Sequence, residues 1–277
     1  MRPLNVFLGI VMLSLFSVQS CSSQKQPGND IQLAVQAWSF RNFTFQEAVK
    51  QAAQIGFRHI EMFPGQKISE GTEGNTHFGM SEESRELVKS ILKENNIKLV
   101  QYGVVSCNSK EEWVQLFEFC KAMGVETINS EPEFSDFILL DSLTQAFNIN
   151  LAVHNHATGT RYWDPQIVLD QIEGKNPRIG VCADNGHWMR SGLDPVESLK
   201  KVEGKLITMH IKDMSEFNNL EAHTVAFGTG VLDGKKLIDE LKRQGFSGII
   251  TVENEYNWDN PANDLTTTLA SLNGLLK

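Results

Sequence analysis

Cysteine is scarce in this chain, with four in 277 residues, at positions 21, 107, 120 and 182. That number and scatter exclude a disulfide framework as the source of stability. Cys120 falls on the apolar face of a helical stretch and Cys182 inside a strand-like run, where each reads as a small buried hydrophobe. Positive charge is also short: 25 Lys and Arg stand against 34 Asp and Glu, a formal net charge of -9. Surfaces that hold a phosphodiester backbone need clustered cations to displace counterions, so nucleic acid is not an expected partner. No linker rich in Pro, Gly or Ser divides the chain. With 41% hydrophobic residues and 21% charged, the composition is that of an ordinary soluble globular protein.

What is present begins with an export segment. Residues 1–20 carry one charge, at Arg2, and an apolar run from Leu4 to Val18 broken only by Asn5, Gly9, Ser14 and Ser17. A membrane span needs about 20 apolar residues, so this shorter run followed by small residues reads as a secretory signal. Val18-Gln19-Ser20-Cys21 resembles a bacterial lipobox, which implies acylation of Cys21 and a membrane-anchored lipoprotein facing the periplasm, held through its lipid alone; an ordinary signal peptide cut nearby is the simpler alternative. Residues 21–30 are then a polar tether, and loss of Arg2 leaves 24 basic against 34 acidic residues, a net charge of -10.

From Ile31 onward, short apolar runs alternate with amphipathic stretches. The runs are Ile31 to Ala37, Phe57 to Met62, Ile97 to Tyr102, Val125 to Asn129, Ile149 to Val153, Arg178 to Ala183, Lys205 to His210 and Gly248 to Val252, each of strand length and rich in Val and Ile. Between them, sets such as Phe45, Val49, Ala52 and Ile55 have helical spacing. Thr44, Ser81, Ser109, Ser135, Asp164, Asp194 and Asp233 sit where N-caps belong, and Gly56, Gly124, Gly174, Gly204 and Gly245 where helices stop. Eight βα units over residues 31–277 predict an α/β fold, a single (β/α)₈ TIM barrel domain, rather than an open doubly wound sheet.

In such a barrel, polar residues at the C-terminal ends of strands line the active site. The ends here carry Trp38, Glu61, Gln101 with Tyr102, Glu131, His154 with His156, Asp184 with His187, His210 with Lys212, and Glu253. The closure of the barrel brings His154, Asp184, His210 and Glu253 around one point, a set of imidazoles and carboxylates suited to a divalent metal ion such as Mn²⁺, Zn²⁺, Co²⁺ or Mg²⁺. Singly, a strand histidine is more often a satisfied core group than a ligand.

Gly56-Phe-Arg-His-Ile-Glu61, Asp184-Asn-Gly-His187-Trp, His210-Ile-Lys212-Asp213 and Glu253-Asn254 together resemble the xylose isomerase-like barrel family of sugar phosphate isomerases and epimerases. The resemblance implies a divalent cation on the fifth to eighth strands, with Asp184, His210 and Glu253 matching three of the four family ligands. The fifth strand departs, with His154-Asn155-His156 where the commonest motif is Glu-Asn-His. A symmetrical pair of catalytic glutamates is therefore missing; beside Glu253, the candidate bases are His154, His156 and Glu131. Trp38, Glu61, His187, Arg190 and Lys212 are candidate substrate-binding residues, with Tyr102, Trp163 and Trp188 as further stacking surfaces.

Such a site binds the oxygens of an α-hydroxy carbonyl compound, stabilises the enediolate formed when the α-proton leaves, and returns the proton elsewhere. A metal-dependent isomerase or epimerase of an unphosphorylated keto-sugar is the expected function. A lyase or hydratase acting on 3-keto-glycosides or their unsaturated products is the runner-up, and a non-catalytic sugar-binding lipoprotein the remote alternative. The endonuclease branch of the same family is disfavoured by the export segment and the negative charge. Gly228-Thr-Gly-Val-Leu-Asp-Gly234-Lys235-Lys236 has the wrong spacing for a P-loop and is expected to be a turn over the site.

Overall fold

A computed structural model describes residues 31–277; the export segment, the tether and Cys21 lie outside the described residues. Among the described residues there are ten strands: β1 (Gln32–Gln36), β2 (His59–Met62), β3 (Lys98–Val105), β4 (Thr127–Ser130), β5 (Asn150–His154), β6 (Ile179–Asp184), β7 (Leu206–Ile211), β8 (Asp213–Met214), β9 (Thr224–Val225) and β10 (Ile249–Val252). Eight of them close into a barrel in the order β1-β10-β7-β6-β5-β4-β3-β2, each pairing parallel with its neighbours. The expected (β/α)₈ fold is the observed one. β8 and β9 form a separate antiparallel ribbon that the periodicity does not reveal, because two-residue strands carry no period.

Nine helices wrap the described part of the barrel: α1 (Phe45–Ile55), α2 (Glu82–Glu94), α3 (Lys110–Met123), α4 (Phe137–Phe147), α5 (Pro165–Ile172), α6 (Asn185–Arg190), α7 (Pro195–Lys201), α8 (Gly234–Arg243) and α9 (Ala262–Leu276). Their starts follow from local chemistry. Thr44, Ser81, Ser109, Asp164, Asp194 and Asp233 each accept a backbone N–H of the first turn. Ser135 does not: Glu133 and Asp136 form a reciprocal pair that starts a short 3-10 turn at Phe134, and α4 continues from it. Each helix then turns one apolar stripe inward, as α8 does with Leu237, Ile238 and Leu241.

The barrel interior is unusually polar. Gln101 bridges Thr208 and Thr251 across the barrel, accepting from Thr251 Oγ1 at 2.5 Å, and Asn129 donates to Glu61 at 2.8 Å. Every one of these groups is buried, so their pairing offsets the desolvation that branched aliphatic layers avoid. Tyr102 points the other way, its ring against Phe119 and its hydroxyl donating to Thr76 O at 2.8 Å. β3 runs on to Val105, which moves its C-terminal end three residues past the expected boundary.

The 228–234 loop corrects a second expectation. It closes on Asp213 rather than over the central site: Gly228 and Gly230 N–H donate to Oδ2 at 2.9 Å each, while Met214 and Leu232 N–H donate to Oδ1. A Cβ at Gly230 would meet Asp213 Oδ1 at 2.3 Å, so only glycine allows the approach. Asp213→Ala is expected to lower unfolding free energy by about 2 kcal/mol, since four backbone N–H groups lose a charged acceptor, that of Met214 in a buried position and those of Gly230 and Leu232 in partly buried ones. Urea titration measures the loss, and faster amide exchange at Gly228, Gly230 and Leu232 localises it.

Candidate active site

Because all eight barrel strands are parallel, their C-terminal ends face one mouth, and His154, Asp184, His210 and Glu253 arrive there from β5, β6, β7 and the residue after β10. His154 Nε2 lies 3.3 Å from Asp184 Oδ2. Asp184 Oδ2 lies 3.8 Å from His210 Nδ1, which in turn is 3.0 Å from Glu253 Oε2. All four residues are buried. The far nitrogen of each imidazole is held by another carboxylate: His210 Nε2 by Glu61 at 2.9 Å and His154 Nδ1 by Glu131 at 3.0 Å.

This donor set fits a divalent cation. His154, Asp184 and His210 present ligand atoms within 4.8 Å of one another, and Glu253 adjoins them. Carboxylates on the outer nitrogens fix the tautomers and ring planes, as is usual behind metal-binding histidines. A second cluster of Glu131, His154 and His156 shares His154 with the first. Lys212 adds something the sequence does not announce. Its Nζ lies 2.8 Å from Asp184 Oδ2, 3.0 Å from Glu253 Oε2 and 2.9 Å from Glu255 Oε1, so two of the candidate ligand oxygens also serve an ammonium.

The charges respond accordingly. Burial opposes the charge of Lys212, but the three carboxylates around it hold its pKa above the usual lysine value. Burial likewise opposes ionisation of Glu131, yet hydrogen bonds from His154 and His156 bring its carboxyl down to about 2. His187 goes the other way: burial, then the Lys212 ammonium, lower it to about 3, so its imidazole is neutral.

The mouth opens into a cavity of about 320 Å³ lined by Gln36, Trp38, Phe63, His154, His156, His187, Lys212, Glu253, Glu255 and the backbone at 103–104. His156 is the half-exposed imidazole of the set, with its Nδ1 against Glu131 Oε1. Two expected substrate contacts are placed elsewhere. Glu61 is fully buried beneath His210, and Arg190 is committed to Glu255 at 2.6 Å, His187 Nδ1 at 3.2 Å and Ala222 O at 3.1 Å. Tyr102, Trp163 and Trp188 are also absent from the wall. Glu255 is the residue that sequence reasoning passed over; its spacing of two from Glu253 is the signal, because side chains two apart along an extended chain share a side.

His187 makes the site's contribution to acid sensitivity testable. Unfolded, it titrates near its ordinary 6.5; folded, it stays neutral to about 3. Protons therefore favour the unfolded chain, and the stability associated with His187 is full above 6.5 and declines as pH falls toward 3. With a chelator present, His187→Asn is expected to gain stability relative to the parent as pH drops from 7 to 4. Urea midpoints that stay a constant distance apart would contradict the neutral assignment.

Comparison with known proteins follows this geometry. A solved structure of an uncharacterised protein from Parabacteroides distasonis ATCC 8503 is 29% identical with a TM-score of 0.72, covering 88% of this chain and 99% of that one. D-allulose 3-epimerase from Methylomonas sp. superposes with a TM-score of 0.70 at 14% identity, over 89% of this chain and 98% of that one. The IOLI protein with a bound zinc atom gives 0.68 at 17% identity, over 88% and 98%; these two likenesses are of fold. The rhizopine catabolism protein MocC of Rhizobium meliloti is 28% identical over 134 residues, 43% of this chain, so the match spans 41% of that relative's length. The xylose isomerase-like TIM barrel family model matches residues 49–274, and the chain belongs to that family.

Proposed function

We propose that this protein moves a proton at the carbon next to the carbonyl of an unphosphorylated keto-sugar, as an isomerase or epimerase working through an enediolate. One observation carries the reading: proton-carrying groups stand on well-separated walls of one cavity. His156, backed by Glu131, comes from the β5 side, and Glu253 with Glu255 from the β10 side. β5 and β10 are three places apart around an eight-strand barrel. The fold shared with D-allulose 3-epimerase supports the same class of chemistry.

His156 is the better base on its wall, because its ring is accessible and its Nδ1 is pinned by Glu131. Glu131 is a positioning residue, its Oε1 shared by two imidazoles. Glu253 supplies the group on the other wall. A divalent cation, Mn²⁺ foremost, would be held by His154, Asp184, His210 and Glu253 and would supply Lewis acidity toward the enediolate oxygens. The cations at and behind the cavity wall favour an unphosphorylated substrate. Lys212 is neutralised by three carboxylates and Arg190 by Glu255, which leaves neither free for a phosphate. An exported enzyme tethered through Cys21 would meet such sugars; the support for that location is the sequence of residues 1–30 alone.

In D₂O, the Mn²⁺-supplemented protein is expected to place deuterium on the carbon beside the carbonyl of a keto-hexose such as D-fructose, D-tagatose or D-allulose, read by NMR. His156→Gln and Glu253→Gln are each expected to slow exchange by about 10²-fold to 10⁴-fold with the fold intact. Retention of most exchange in either variant counts against the assignment. Titration calorimetry adds an independent check on the shared oxygens: Lys212→Met is expected to bind Mn²⁺ about tenfold tighter or more, and equal affinity would show that the ammonium does not compete.

A further inference from the structure

The central cavity does not end at its aromatic wall. Trp38 and Phe63, packed edge to face at 4.9 Å and 84°, also form one side of a second hollow of about 430 Å³. The two spaces are thus separated by a pair of aromatic side chains, with Trp38 partly exposed. The outer hollow is lined otherwise by hydrogen-bonding groups of both signs, among them Arg41, Asn42, Glu47, Lys67 and Glu70.

Arg41 is the most informative of these. Its guanidinium lies 3.6 Å from the centre of the Trp258 ring and 4.9 Å from that of Trp38. Stacking of this kind fixes the plane of the group and leaves its edge donors unused. Among the described residues, no hydrogen bond or ion pair engages that guanidinium. The loop bearing Trp258 is itself held to this rim, since Asn42 Nδ2 donates to Asp259 Oδ1 at 2.7 Å. The same hollow is lined by the Lys67–Glu70 pair at 2.7 Å. A stacked guanidinium with unused donors, a partly exposed indole and side chains of both charge signs suit a neutral polyhydroxylated ring: the indole meets the ring's C–H face and the guanidinium meets its hydroxyls.

We infer that the outer hollow is a subsite for a second sugar unit, so that the substrate is a disaccharide or longer glycoside whose reacting ring occupies the central cavity. This deepens the proposed function and rests on it for the identity of the reacting ring. The two hollows share Trp38 and Phe63 as lining, so rings seated one in each would flank the same aromatic pair.

The test compares the ketose-containing disaccharides lactulose, maltulose and isomaltulose with fructose, glucose and galactose by titration calorimetry on the full chain. At least one disaccharide is expected to bind about tenfold tighter than its constituent monosaccharides. Arg41→Ala is expected to weaken that disaccharide at least fivefold more than it weakens the monosaccharide, and Lys67→Ala, which alters the lining of the same hollow, to act in the same direction. Disaccharides that bind no tighter than monosaccharides, or variants that weaken both equally, overturn the subsite. Deuterium exchange into a keto-hexose separates the two readings. Exchange without disaccharide preference leaves the enolising site and removes the subsite, whereas an Arg41-dependent preference without exchange does the reverse.

Discussion

The site is organised by a single constraint: carboxylates packed at the mouth of a closed barrel must each be matched by a cation or a donor. Glu61, Asp184 and Glu253 are buried, and Glu131 and Glu255 nearly so. Removing a carboxylate from water costs several kcal/mol unless partners restore what solvation supplied. Lys212 answers three of these groups at once, His210 joins Glu61 to Glu253, and His154 joins Glu131 to Asp184. The network leaves each histidine with one nitrogen directed at the centre and the other anchored behind it. Preorganisation of the candidate site and burial of charge are here the same set of contacts.

That constraint reaches outward through the loops. Arg190 comes from α6, which begins because Asp184 caps it by accepting the His187 N–H at 3.0 Å. One carboxyl group therefore faces the site with one oxygen and starts the helix with the other. Through α6, His187 joins the cavity wall while Arg190 holds Glu255 against Lys212. Next to Lys212 along the chain, Asp213 draws the 228–234 loop inward by accepting its backbone N–H groups. The His-Ile-Lys-Asp run thus serves two centres, two of its residues turned to the barrel mouth and Asp213 to the loop beside it.

Much of this was legible in the sequence. Alternation of Val-rich runs with helical stripes is enough for an eightfold barrel, because period and unit length are local properties. His154, Asp184, His210 and Glu253 could be grouped from their places at strand ends, since a parallel barrel carries all such ends to one face. Ser135 illustrates the limit of local chemistry: it has the right residue type for a cap, but the Glu133–Asp136 pair that brackets it supplies a competing start. Tyr102 shows another, because a strand lengthened by three residues changes which side chain marks its end.

By itself, the sequence determined the order of strands and helices, the caps that begin most helices, and the residue types available at the mouth, all set by spacing and side-chain chemistry along the chain. Only the tertiary structure decided which of those groups touch the cavity. Glu61 and Lys212 are equally plausible in sequence as sugar contacts, yet Glu61 ends beneath His210 and Lys212 among three carboxylates. Arg190, 65 residues from its partner Glu255, neutralises a residue that no motif singled out. Pairing between distant charges depends on distances of a few ångströms across the barrel, and those are fixed when the sheet closes.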